Sequence, residues 1–317
     1  ERIVERLSAD DGSATLSADE LGDLFVGNVH RFCTRFLFEQ NVVPGNTTVI
    51  DLDTSISIIA DIMGDDEMRV LGETKLRQRY SQIVNLQHLL YQCCRNYPGA
   101  LMVHRDALSP QALRELCLAF NLTYSQQATV DLYQHASFYQ DQHAALSTDA
   151  SLLLSQLYAA REYELYKQAN DLLDFEDLLL LTYDAITSHQ TDQPHRYRWL
   201  QIDEVQDLNP LQMAIVDLFS APDATVVCLG DPQQAIFSFM GAKTDTLNQL
   251  RQRALQSGGQ AHLHSFFQNY RSPQYLLNAF NTFAEQRLGI SRDLLPSTEN
   301  HTAQQPGDLT LLCCPTN

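Results

Sequence analysis

From Gln111 to Gln193 the chain runs 83 residues without a glycine or a proline. Turns lean on those two residues, glycine for its access to positive φ and proline for its preset φ. A run this long without either cannot be a stack of strands and hairpins, so it predicts helices. Within it Leu153, Leu157, Ala160 and Glu164 recur at helical spacing, and Leu154 and Leu165 widen the stripe. Residues 49 to about 170 read as helix throughout. Upstream, Asn28 to Phe38 is amphipathic, with Phe32, Phe36 and Leu37 apolar and Arg31 and Arg35 one turn apart. A polar loop, Ser8 to Ser17, precedes it, and Pro44-Gly45-Asn46 ends it.

After Tyr197 the texture changes. Arg198 to Ile202, Thr225 to Leu229, His262 to Phe267 and Asp308 to Cys314 read as short strands. Between the first two, Asn209 is a candidate N-cap with Pro210 at the first helical position, and Leu211 to Phe219 continues the helix. Ser272-Pro273 starts another helix that runs to about Gln286. Short apolar strands alternating with helices predict an α/β fold: one parallel sheet covered by helices, beside a large all-helical segment.

Composition narrows the class. Hydrophobic residues make up 44% of the 317, enough for two ordinary cores. No apolar run approaches the roughly 20 residues that span a bilayer. The seven cysteines are odd in number, and none forms a C-x-x-C pair. Reduced cysteines in a cytoplasmic protein are therefore expected. The net charge of −18 argues against a nonspecific polyanion binder but leaves room for a local groove. The charge is uneven. Phe36 to Met68 carries Glu39, Asp51, Asp53, Asp61, Asp65, Asp66 and Glu67 with no Lys or Arg, whereas Arg69 to Arg105 carries Arg69, Lys75, Arg77, Arg79, Arg95 and Arg105 against Glu73 alone. The basic stretch is either a DNA-facing surface, with Arg77 and Arg79 as first candidates, or a solvated helix face.

Three strings carry chemistry. Ile202-Asp203-Glu204-Val205-Gln206-Asp207 follows the apolar pair Trp199-Leu200. Adjacent carboxylates at the end of a buried strand need a cation or a proton to neutralise them. Asp203 is expected to hold Mg²⁺ on a nucleoside triphosphate, and Glu204 to orient or deprotonate the attacking water. Gln206 and Asp207 would couple that site to neighbouring loops. The ordinary alternative is a solvated strand end. The second string, Leu229 to Ala242, leaves the carboxyl end of the next strand, where ligands bind in open α/β sheets. Gln234 there can reach a terminal phosphate without adding charge. Phe237 and Phe239 can stack on bases, although such a pair by itself is more often core. In the third, Asn269-Tyr270-Arg271-Ser272-Pro273, Arg271 precedes a helix and can stabilise charge on a transferring phosphoryl group, and Tyr270 can stack on adenine.

With two more strings, Gly27-Asn28-Val29-His30-Arg31-Phe32-Cys33 and Asp174-Phe175-Glu176-Asp177-Leu178-Leu179, these segments resemble, in order, the motifs of the UvrD/Rep family of superfamily one DNA helicases. The resemblance implies a RecA-like motor fold using ATP and Mg²⁺ to move on single-stranded DNA and unwind duplexes, in repair, replication or recombination. It implies Asp203 and Glu204 as Mg²⁺ ligand and base, and both as the metal-facing pair. Gln234 and Arg271 would contact the γ-phosphate and Tyr270 the adenine. Phe237 and Phe239 would stack on single-stranded DNA, and Asn28, His30 and Arg31 would line its path. Residues 1–48 and 171–260 would form part of the first motor domain, 49–170 its helical insertion, and 261–317 the start of the second motor domain. Met240 and Ala235 stand where the family usually has Arg and Ser, and Asn28, Val29 and Arg31 where it has Thr, Phe and Ser.

No G-x-x-x-x-G-K-[ST] phosphate loop occurs in the chain, and Glu1 is not a natural start. The 317 residues are therefore expected to be a piece of a longer helicase, inactive alone. A subunit of a RecB/AddA-like helicase–nuclease and a non-enzymatic interaction protein on a decayed motor fold stay open beside this.

Overall fold

The computed structural model describes residues 24–95, 108–142, 145–188, 196–231, 234, 246–256, 261–266, 268–269 and 272–289. The chain divides into two compact units, Glu1–Leu247 and Asn248–Asn317.

Most helices start where a short polar side chain can accept from a free backbone N–H of the first turn. In the first unit α1 is Val29–Glu39, capped by Asn28; α2 is Leu52–Met63, capped by Asp51; α3 is Glu67–Gly72, capped by Asp66. The long α4, Thr74–Arg95, follows. Ser109, Ser125 and Ser147 cap α5 (Pro110–Ala119), α6 (Gln126–Gln134) and α8 (Thr148–Ala169), and α7 is the short Ala136–Gln140. Two helices carry full capping boxes: α9 (Phe175–Thr187) with Asp174 and Asp177, and α10 (Pro210–Phe219) with Asn209 and Gln212. Glycine ends α2, where Gly64 adopts φ 71°.

The strands are few. β1 (Thr48–Val49) pairs in parallel with β2 (Leu172–Leu173), and β3 (Tyr197–Ile202) pairs in parallel with β4 (Ser220–Cys228). The expected single parallel sheet is thus replaced, among the described residues, by two separate two-stranded sheets in a mostly helical chain. β3, α10 and β4 form one β-α-β crossover. The register shifts between Tyr197 and Trp199, opposite the stretch of β4 that contains Pro222, which has no N–H to give a ladder.

Two apolar cores divide the first unit. One gathers Ile56, Ile59, Ile83, Leu90, Leu116, Leu132, Leu157 and Tyr163 from α2 to α8. The other gathers Cys33, Phe36 and Leu37 of α1, Leu178 to Leu180 of α9, and Leu211, Ile215 and Phe219 of α10. The stripe on α8 is buried at Leu153, Leu154, Leu157, Ala160 and Glu164, but Leu165 is an exposed side chain and does not widen it. The strand before the paired carboxylates also differs from expectation. Trp199 is 64% exposed and Val226 of the neighbouring strand 45%, so β3 is not buried on both faces, although Tyr197 at its start meets Phe32 of α1.

In the second unit α12 (Gln274–Leu288) follows Pro273, as the sequence predicts, and Gly289 ends it at φ 66°. Residues 262–266 are not strand: the side chains from His262 to Phe266 are all exposed, and among the described residues no ladder holds them. The helix α11 (Thr246–Gln256) spans the boundary between the units. The strand expected at Asp308 to Cys314 and the polar loop at Ser8 to Ser17 lie outside the described residues. The five described cysteines, Cys33, Cys93, Cys94, Cys117 and Cys228, are free. Among the described residues no helix is long and apolar enough to cross a membrane.

Candidate functional site

The carboxyl ends of β3 and β4 are tied to each other beyond the ladder. Leu229 N–H donates to Ile202 O at 2.8 Å, and Val205 N–H donates to Leu229 O at 3.0 Å. Between those bonds the chain turns sharply. Glu204 sits in the left-handed region at φ 50°, ψ 42° and leads into a 3₁₀ turn over Val205–Asp207. A non-glycine residue there costs about 1–2 kcal/mol, and such strain concentrates at functional sites. The turn leaves both Asp203 and Glu204 exposed at the end of the sheet. Asp203 Oδ1 accepts from the Glu204 N–H at 3.0 Å, which fixes its carboxylate.

Gln206 lies between the two strand ends and is 2% exposed. Its Nε2 donates to Glu204 Oε2 at 2.7 Å, and its Oε1 accepts from the Asp231 N–H at 3.1 Å. Gly230 makes room for it: a Cβ there would lie 2.5 Å from Gln206 Oε1 and 2.9 Å from Val205 Cγ1. Asp231 in turn holds Gln234, whose Nε2 donates to Asp231 Oδ2 at 2.9 Å and whose N–H donates to Asp231 O at 3.0 Å. Asp203, Glu204 and Gln234 are therefore gathered at one end of the β3–β4 pair. Asp207 turns inward, with Oδ1 buried and without a hydrogen-bond partner among the described residues.

The donor set suits a hard cation shared with phosphate. Among the described residues no group of three or more His, Cys, Asp or Glu could hold a metal by itself. Mg²⁺ does not need one, because it is commonly bound through one or two carboxylates plus substrate phosphates and water. Asp203 keeps one oxygen clear of its turn hydrogen bond, and Glu204 keeps Oε1 clear of Gln206.

The other expected residues divide into those placed here and those that are not. Asn28 Oδ1 accepts from the Arg31 N–H at 2.8 Å, so this side chain starts α1. Arg31 is exposed. His30 stands edge-on to Phe175, the first residue of α9, with ring centroids 5.7 Å apart. Burial lowers the His30 pKa, which keeps the ring neutral near pH 7. Phe237, Phe239, Tyr270 and Arg271 lie outside the described residues. On α4, Arg77 bonds Asp53 at 2.5 Å and is not a free cation, whereas Lys75 and Arg79 are exposed and form no ion pair among the described residues. Arg69 faces Glu73 at 3.9 Å, and Arg95 pairs with Asp184.

A polar cluster that periodicity does not reveal joins the two cores. Lys167 on α8 is 3% exposed and donates to Asp174 Oδ2 and Asp177 Oδ2, both at 2.6 Å, and to Gln87 Oε1 at 3.3 Å. Asp174 Oδ2 also faces His88 Nε2 at 2.8 Å and accepts from the Tyr163 hydroxyl at 2.9 Å, while its Oδ1 caps α9. Burial alone would raise the Asp174 pKa, but His88 and Lys167 pull it well below the usual carboxylate range. Burial would lower His88, and the Asp174 carboxylate outweighs it and raises the pKa. Burial, reinforced by Asp174, raises Asp177. The one sequence signal was a lysine on the buried face of a helix, four residues beyond Tyr163, facing the Asp174 to Leu179 string.

The profile of the UvrD/REP helicase N-terminal domain matches residues 1–254 of the chain. The chain is 32% identical over 132 residues to the ATP-dependent DNA helicase PcrA of Leuconostoc citreum, covering 40% of this chain and 17% of that protein. It is 33% identical over 122 residues to the ATP-dependent DNA helicase srs2 of Schizosaccharomyces pombe, covering 38% and 13%. With DNA helicase II of Escherichia coli it shares 32% over 133 residues, covering 40% and 18%. The matched stretch spans less than a fifth of each of these relatives.

Proposed function

The chain belongs to the UvrD/Rep helicase family, and on that footing we propose that the protein carrying it is an ATP-dependent DNA helicase or translocase whose first motor domain includes the β3–β4 site. The reading is supported above all by the gathering of Asp203, Glu204 and Gln234 at the shared carboxyl end of two parallel strands. That is where α/β proteins place ligands. The two separate cores support a RecA-like part built from α1, α9, α10 and the strands, carrying a helical insertion over 49–170.

In this mechanism Asp203 holds Mg²⁺, and bound Mg²⁺ supplies charge neutralisation for phosphoryl transfer. The turn at Glu204 aims its carboxylate out of the sheet, where it orients the attacking water and takes its proton. Gln234 leaves Asp231 to contact the γ-phosphate, a contact for which Arg271 is the second candidate. Tyr270 stacks on the adenine. Phe237 and Phe239 stack on bases of single-stranded DNA, each stack worth about 1–3 kcal/mol, enough to grip and still release. His30 and Arg31 line the strand's path, and Asn28 holds that segment in shape by capping α1.

The test is Glu204→Gln in the whole protein. It should leave ATP binding in place and remove DNA-stimulated hydrolysis. A variant with near-normal turnover would take Glu204 out of the base role.

A further inference from the structure

Resting on the helicase reading, we infer that Gln206 is a positioning residue that locks the Glu204 carboxylate to the loop bearing Gln234. The geometry is specific. A buried primary amide has one acceptor and a donor pair, and here its two ends face different strand ends. Nε2 holds Glu204 Oε2 at 2.7 Å and Oε1 holds the Asp231 N–H at 3.1 Å. Glu204 is exposed on a left-handed turn, with Oε2 held among the described residues by this one side-chain amide. Without it the carboxylate would sample its rotamers in solvent. A base must stand at a fixed place relative to the water it activates, so a loose carboxylate loses rate without losing substrate.

The other end reaches further. Asp231 carries Gln234 on its carboxylate at 2.9 Å. Glu204, Gln206, Asp231 and Gln234 therefore form one relay from the base to the side chain assigned to the terminal phosphate. When Gln234 leaves Asp231 for a phosphate, the displaced end of the relay is one hydrogen bond from the backbone group that anchors Gln206. Occupancy of the phosphate site is thereby communicated to the base. Gly230 belongs to the same device, because a methyl group there would drive into Gln206 Oε1 at 2.5 Å.

Gln206→Met keeps the length and the apolar stem and removes both polar ends. In the whole protein it should lower kcat about 10- to 100-fold, the rate equivalent of removing one hydrogen bond to a charged group. KM for ATP should stay within about twofold by the same reasoning, since the amide holds the base and does not touch the nucleotide. Combined with Glu204→Gln, the methionine should cost nothing more in residual turnover, because it acts through a group already removed. Gly230→Ala should reproduce the kcat loss with every polar atom retained. Hydrogen exchange supplies a readout independent of turnover: the Asp231 amide should exchange faster in Gln206→Met, with protection elsewhere in β3 and β4 unchanged. Wild-type kcat in Gln206→Met, a loss that adds to Glu204→Gln, or an unchanged Asp231 amide overturns the inference. A wild-type protein without DNA-stimulated hydrolysis is a different failure: it removes the helicase reading, while the exchange result still decides whether Gln206 ties the two loops.

Discussion

Replacing Lys167 with methionine removes the cation at the centre of the cluster that joins the two cores. Lys167 Nζ donates to two carboxylates at 2.6 Å and to the Gln87 amide oxygen, and the side chain is 3% exposed. The two carboxylates it leaves behind are unequally protected. Asp174 still has His88, Tyr163 and the two N–H groups at the start of α9. Among the described residues Asp177 keeps only the Asp174 N–H at 3.0 Å. Removing one partner of a buried ion pair typically costs about 3–5 kcal/mol, because the remaining charge is stranded. Protonation of Asp177 would relieve part of this, so about 3 kcal/mol is the expected loss at pH 7. Methionine fills nearly the volume of lysine, so little of the loss comes from a cavity. Urea denaturation followed by far-UV circular dichroism measures it. Lys167→Met with Asp177→Asn should recover most of the stability, since the orphaned charge is gone and an amide oxygen can still take the Asp174 N–H. A single variant within about 1 kcal/mol of wild type, below the range for a stranded buried charge, would refute the reasoning, as would strict additivity in the double variant.

The same cluster has a pH signature. The Asp174 pKa is depressed in the fold, so its contribution is present above about pH 4 and is lost as the pH falls through the folded value. The His88 pKa is raised, so its contribution is complete below about pH 6.5 and is lost as the pH rises through the folded value. Urea midpoints should decline on that alkaline side, against the background of Lys167, Glu176, Asp177 and Tyr163 around the ring. His88→Asn should abolish the His88 part of the decline, and an unchanged profile would remove His88 from the account. On α4, Lys75→Glu with Arg79→Glu should weaken DNA binding by the whole protein and reduce the slope of log K against log salt by about 2, near 0.9 for each phosphate no longer neutralised. An unchanged slope makes this an ordinary solvated helix face. Arg77, paired with Asp53, should matter less than either.

Local signals were the most legible part of the fold. The capping boxes at Asp174 and Asn209 depend on residues three apart in sequence, and Asn209-Pro210 starts α10 as composition implies. The described part of the glycine- and proline-free run is helical apart from β2 and short connections. What sequence could not give were the long-range choices. Trp199 looks like a core residue by type, yet its exposure depends on which elements cover β3. His262 to Phe266 has strand-like alternation but no described partner to ladder with, and β-propensity means little without one. Leu165 sits one position past the buried edge of α8, an error of a single helical step. Arg77 is drawn off by Asp53, which lies 24 residues away in sequence.

The same distinction applies within the site. Asp203 and Glu204 stood out in the sequence as adjacent carboxylates after an apolar pair, and the structure places both exposed at the end of β3. Gln206 was read as coupling the site to neighbouring loops, but its partners were not legible, since an uncharged amide leaves no mark in composition or periodicity. Its role follows from burial at 2%, two hydrogen bonds of opposite sense and a glycine that yields it space. Lys167 is the counterpart in the other cluster: there a charge is buried and neutralised, whereas at Glu204 a charge is exposed and held by a buried neutral group. Each arrangement avoids the desolvation of an unpaired ion. They serve opposite ends, one fixing the start of α9 between two cores, the other orienting an exposed carboxylate at the end of the β3–β4 pair.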